Sequence, residues 1–98
     1  MELTFKNNKS GNGGFITMHK GDTEVGRLTY TIFPEQDKLV ISFVNIYREF
    51  EGQGLGKIII KNAIDFARKN DWKIYPHCSY ANTVMHRMDD VKDILLKQ

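Results

Sequence analysis

Polar and apolar residues alternate with a period of two through the first half of this chain and shift to a helical period in the second. Residues 3–6 are a short first strand. Residues 7–14, Asn-Asn-Lys-Ser-Gly-Asn-Gly-Gly, collect turn formers and predict a loose hairpin tip. Residues 15–20 resume as a strand with Ile16 and Met18 on one face, and Gly21-Asp22 turns the chain again. Over residues 25–33, Leu28, Tyr30 and Ile32 alternate with Arg27, Thr29 and Thr31, the pattern of a half-buried antiparallel strand. A turn at residues 34–37 leads into residues 38–47. There both faces are apolar, with Leu39, Ile41 and Phe43 on one side and Val40, Val44 and Ile46 on the other. That pattern predicts a central strand covered on both faces.

From residue 55 to 69 the spacing is helical: Leu55, Ile58, Ile59, Ala63, Phe66 and Ala67 share a stripe, while Lys57, Lys61, Asn62, Asp65 and Arg68 face away. Asn70 suits the left-handed position after a helix. Residues 72–75 are a fifth short strand, and Pro76 fits its exit or an edge. Two terminal helices are expected, over 81–88 and 90–96. Trp72, Phe66 and the run Ile58-Ile59-Ile60 are expected in the core, and Tyr80 against Trp72 or Phe66. The fold class is therefore α+β: a four-strand meander, a central helix, a fifth strand and C-terminal helices, in one domain over 1–98.

Composition narrows the function. The chain has 98 residues, 41% hydrophobic and 27% charged, which supports one core, so two large substrates would share one cleft. The net charge of +2 is small and the charges of both signs are interspersed, against a nucleic-acid partner. Cys78 is the only cysteine, so no internal disulfide forms. The first residues lack a basic-then-apolar leader, and no apolar run approaches the roughly 20 residues of a membrane span. A cytoplasmic protein without a membrane partner is expected. No spacing of His, Cys and carboxylates suggests a metal site.

The chemistry concentrates in Arg48-Glu-Phe-Glu-Gly-Gln-Gly-Leu-Gly-Lys57, three glycines at alternate positions where the fourth strand gives way to the helix. Such a corner exposes unpaired backbone N–H groups at the positive end of a helix dipole and favours an anion, above all a phosphate. A P-loop is excluded, because Glu51 stands where its first glycine belongs and Ile58 where its hydroxyl belongs. A Rossmann turn is excluded by the third glycine interval and by the four preceding strands.

The segment EGQGLGKIIIKNAIDFARKN resembles the pyrophosphate-binding segment of the GNAT superfamily of N-acetyltransferases. With GFITMHKGDTEVGRLTY, VNIYREFEGQGLGKIII and WKIYPHCSYA in this order, the chain is similar to the small single-domain GNAT-like family. The resemblance implies a coenzyme A thioester, acetyl-CoA, as substrate. Its pyrophosphate would rest on the N–H groups of Gln53, Gly54, Leu55, Gly56, Lys57 and Ile58, with Gly54 and Gly56 leaving room for the phosphates. Its pantetheine would pair with Val44, Asn45, Ile46 and Tyr47 and hydrogen-bond Asn82. Cys78, after the fifth strand, would lie near the thioester as a nucleophile or a contact, and Tyr80 would protonate the departing thiolate. Glu49, at the strand end, is the available general base. Two positions depart from the pattern: Glu51 replaces an Arg or Gln, and Phe43-Val44 replaces a His-Thr pair. The resemblance implies acetyl transfer to an amine or thiol acceptor, a small molecule or peptide. The alternative is a module that binds CoA without turnover.

Overall fold

The computed structural model describes residues 2–96. Strands β1 (Leu3–Ser10), β2 (Gly13–Lys20), β3 (Thr23–Phe33) and β4 (Lys38–Ile46) pair as antiparallel neighbours. Helix α1 (Leu55–Lys69) carries the chain back to β5 (Lys73–Pro76), which lies parallel to β4, and α2 (Ser79–His86) follows. Spatial order in the sheet is the order in sequence. This is the expected α+β arrangement of a five-stranded, mostly antiparallel sheet with a helix after the fourth strand.

One core forms between a single face of the sheet and the helices. Ile16, Met18, Leu28, Tyr30, Ile32, Leu39 and Ile41 of the sheet meet Leu55, Ile59, Ile60, Ala63, Ile64 and Ala67 of α1 and Ala81 and Met85 of α2. Burying each large aliphatic side chain is worth about 2 kcal/mol. Three consecutive isoleucines on a helix turn through 100° per residue, so they cannot all face the sheet. Ile59 and Ile60 do, with Ile64 below them, and Ile58 is left 38% exposed. Phe66 bridges Tyr30 and Trp72, both at 5.5 Å between ring centroids, the second edge-on.

The largest departure from the sequence pattern is in β4. Thr29 pairs with Phe43 and the next residue, Tyr30, with Ile41, so Ser42 is the extra residue of a β-bulge. Side-chain direction resets there. Leu39 and Ile41 face the helices, and beyond the bulge Val44 and Ile46 do so in their place, packed against the core. Phe43 passes to the other face, where it is 57% exposed. The strand is thus not covered on both faces as its composition suggested; an alternation count cannot register a single inserted residue.

Other boundaries move for local reasons. The first hairpin is a ladder from Leu3↔Lys20 to Ser10↔Gly13 closed by Gly11-Asn12, so most of the expected loose tip is paired strand. Asp71, not Asn70, takes the left-handed conformation after α1 (φ 60°), while Asn70 donates its side-chain amide to the Phe66 carbonyl at 2.9 Å. Helix α2 begins and ends two residues earlier than expected. Residues 90–96 form turns rather than a helix. The open edge of β5 needs partners, and this segment supplies them: Ile74 N–H donates to Ile94 O, and Leu96 N–H to Ile74 O, both at 2.8 Å. Arg68 anchors the segment through Asp93 at 2.9 Å and Asp90 O at 2.6 Å, and its guanidinium holds the Asp93 carboxyl below the usual range.

The bulge makes a prediction about stability. Val44→Ala costs about 1–2 kcal/mol in chemical denaturation, whereas Phe43→Ala, despite deleting a larger side chain, costs less than about 0.5 kcal/mol. The opposite ranking would mean that β4 runs without the bulge.

Candidate functional site

The bulge also opens the sheet. β4 and β5 pair only from Lys38↔Lys73 to Ile41↔Pro76. At that point the N–H groups of His77 (3.0 Å) and Cys78 (3.1 Å) both donate to the Ile41 carbonyl. Two donors fill both lone pairs of that oxygen, and β5 turns away into α2. Beyond it β4 runs on through Val44, Asn45 and Ile46 with no strand paired on its β5 side among the described residues, and a wedge-shaped gap separates the two strands.

A cleft of about 400 Å³ lies at the mouth of this gap. Val44, Asn45 and Ile46 form one wall; Phe50, Glu51, Gly52 and Gly54 of the connection form the end; Leu55 and Gly56 of α1 and Tyr80 of α2 close the other side. The volume is within the usual span of small-ligand pockets. Between β4 and α1 the chain makes a 3-10 turn, Arg48–Phe50, then passes through Gly52 (φ 83°) and Gly54 (φ 75°) in the left-handed region. Gly54 is the N-cap of α1, and no side chain caps the helix. The N–H groups of Gly54, Leu55, Gly56 and Lys57 therefore lack partners within the helix; Ile58 N–H is the first with a carbonyl, that of Gly54, in reach. Fifteen residues of aligned peptide dipoles put partial positive charge at this end. The corner is a donor set without an acceptor.

The structure brings together only part of the residue set expected from sequence. Val44, Asn45, Ile46, Gly54, Leu55, Gly56 and Tyr80 line the cleft. Gln53, Lys57 and Ile58 belong to the same corner but are exposed beside it. Tyr47 turns out of the gap: its N–H donates to Val25 O at 3.0 Å, and its hydroxyl donates to the Glu24 carboxylate. That hydrogen bond, reinforced by desolvation, raises the phenol above its usual range. Glu49 is exposed on the 3-10 turn and Cys78 is half-buried as the N-cap of α2; neither lines the cleft. Cys78 stands at the apex of the wedge through its N–H bond to Ile41. Asn82 is half-buried and does not line the cleft either, and its Oδ1 is enclosed without a hydrogen-bond partner among the described residues. Such an orphaned acceptor costs about 1–3 kcal/mol unless a ligand N–H reaches it.

One cleft residue carried no signal of its own in the sequence: Phe50 reads as a loop aromatic, and only the approach of β4 and α2 makes it a wall. Tyr80 also lies elsewhere than expected: its ring packs on Gly56, not on Trp72 or Phe66. A Cβ at Gly56 would overlap the Tyr80 hydroxyl and lie 2.7 Å from its Cε2 and Cζ atoms. Gly56 is therefore needed for a close approach even with nothing bound. Gly54 has open space around its Cβ position, and its requirement is the left-handed backbone. Gly56→Ala costs about 1–2 kcal/mol in the wild-type background and becomes neutral or stabilising in a Tyr80→Ala background. A double-mutant cycle by urea denaturation reads that coupling.

The geometry agrees with comparisons made at the level of sequence family and of solved structures. A family model described as GCN5-related N-acetyl-transferase matches residues 14–94. No curated protein matches the sequence significantly. Among solved structures, a GCN5-like protein from Staphylococcus aureus is 26% identical and superposes with a TM-score of 0.68, over 95% of this chain and 89% of that one. An acetyltransferase from Bacillus subtilis in complex with CoA is 13% identical, with a TM-score of 0.69 over 88% of this chain and 74% of that one. A GNAT family acetyltransferase from Elizabethkingia anophelis with acetyl-CoA bound is 13% identical, with a TM-score of 0.66 over 87% and 72%. By the span of the family match, the chain belongs to the GCN5-related N-acetyltransferase family.

Proposed function

We propose that this protein binds acetyl-CoA in the wedge between β4 and β5 and transfers the acetyl group to an amine or thiol acceptor. The observation that carries the reading is the cleft itself: an unpaired stretch of β4 backbone leads directly to an uncapped helix N-terminus. These two features match the two ends of one ligand. The N–H groups of Gly54 to Lys57 suit the diphosphate. The free side of Val44 to Ile46 suits the amide groups of pantetheine, which would add to the sheet edge as a short strand does. The buried Asn82 Oδ1 is an acceptor for a pantetheine N–H.

In the transfer step the lone pair of the acceptor adds to the thioester carbonyl carbon. The new bond to the acceptor forms as the C–S bond breaks, and the leaving thiolate takes the proton of the Tyr80 hydroxyl. Tyr80 is the ionisable donor that lines the cleft, and to fill this role its hydroxyl would swing from Gly56 toward the thioester. The proton released by the acceptor passes to Glu49 or to water. Cys78 offers a second route, in which its sulfur accepts the acetyl group first and hands it on.

A non-catalytic reading is supported by one observation. Of the residues lining the cleft only Glu51 and Tyr80 have ionisable side chains, and neither Glu49 nor Cys78 reaches it. A protein that held CoA without turnover would need no more.

Three measurements test these readings. In titration calorimetry acetyl-CoA binds the wild type, and Gly54→Asp, which strains the left-handed N-cap and adds a negative charge, weakens binding about 100-fold or more. In an acceptor panel of a polyamine, a lysine peptide and cysteamine, Tyr80→Phe lowers kcat about 10- to 100-fold with KM unchanged. Binding without transfer to any acceptor would favour the holder. An acetyl adduct seen by intact mass on the wild type but not on Cys78→Ala would favour the relay.

A further inference from the structure

We propose that Lys20, a residue of β2, is a ligand to the diphosphate of CoA, an inference that rests on the binding mode proposed above. Along β2 the side chains of Ile16, Met18 and Lys20 project from one face, the face that carries α1. Ile16 and Met18 are fully buried there, and Lys20, at the strand end, emerges where the core gives way to the glycine corner. Its Nζ donates to Gln53 Oε1 at 3.0 Å across 33 residues of sequence. An ammonium group is thus held by the side chain of the residue before the Gly54 N-cap, just outside the residues that line the cleft.

That placement is electrostatically wrong for the protein alone. A cation at a helix N-terminus is repelled by the dipole. No carboxylate of a described residue lies within 4.0 Å of Lys20 to neutralise it: the ion pairs found are Arg27–Glu24 and Arg68–Asp93. Glu51, which lines the cleft, adds a negative charge where an anionic ligand would rest. The arrangement becomes favourable once the diphosphate, with one negative charge on each phosphorus, sits on the Gly54–Lys57 amides. The ammonium then exchanges a neutral amide acceptor for an anionic oxygen, a stronger bond, and offsets the Glu51 carboxylate. Gln53 keeps the lysine poised at the corner until the exchange. Arg48, Lys57 and Lys61, the corner's other cations, are exposed and make no side-chain hydrogen bond to the loop among the described residues.

The test is titration of wild type, Lys20→Met, Lys20→Arg and Lys9→Met with CoA, dephospho-CoA and pantetheine at two salt concentrations. Lys9 lies at the far end of the same hairpin and controls for net charge. Lys20→Met is expected to weaken CoA and dephospho-CoA equally, about five-fold, and to flatten the salt dependence, with pantetheine binding unchanged. Lys20→Arg should retain most of the affinity, and Lys9→Met all of it. Equal CoA affinity in Lys20→Met and wild type would overturn the assignment, as would equal losses in Lys20→Met and Lys9→Met. A loss confined to CoA would overturn it too, because the contact would then be to the 3′-phosphate. A wild type that bound no CoA would instead remove the binding mode beneath it.

Discussion

The Ile41 carbonyl decides how this sheet can be used. Two N–H groups, from His77 and Cys78, converge on it, and the bulge at Ser42 follows at once. With both lone pairs occupied and the next residue out of register, the parallel ladder between β4 and β5 cannot continue. A sheet is normally stabilised by extending its pairing. Here pairing stops in mid-strand and leaves the β4 backbone beyond it without a strand partner on that side among the described residues.

The same bulge serves the core. An uninterrupted alternation would have left Phe43 facing the helices and Val44 and Ile46 facing away. The inserted residue brings the two aliphatic side chains under α1 and α2 and puts the aromatic ring on the outer face. Packing and opening are thus linked: restoring regular register would both close the wedge and misplace three large side chains. The C-terminal segment complements this at the other edge. Leu95 and its neighbours satisfy the outer side of β5 at Ile74, so the strand is held there on both sides.

At the corner, two glycines are required for different physical reasons. Gly54 turns the chain through a left-handed conformation and leaves the helix without a side-chain cap, which keeps the terminal N–H groups available. Gly56 has ordinary helical geometry, and its lack of a side chain lets the Tyr80 ring rest on the helix. One glycine leaves the head of the helix uncapped, and the other brings the Tyr80 hydroxyl of α2 against it. Backbone donors, strand wall and hydroxyl thereby surround one cleft.

The sequence by itself determined the order of elements as far as α2, the fold class and the place of the glycine corner, because each is local: alternation, helical spacing and alternate glycines act over a few residues. It determined most of the core as well, since Ile16, Leu28, Tyr30, Ile32, Leu39, Ile59 and Ala63 lie where periodicity puts them. What only the tertiary structure decided depends on partners far away in sequence. The bulge at Ser42 is visible only against β3, and residues 90–96 abandon a helical pattern because the edge of β5 competes for their backbone. Tyr80 leaves the aromatic cluster for Gly56 because the turn at Cys78 aims α2 at the head of α1. Lys20 reads as a surface charge until the sheet brings it to Gln53. Local propensity sets the elements, and the choice of which side chains share a cleft is made by register and packing, which no short window of residues contains.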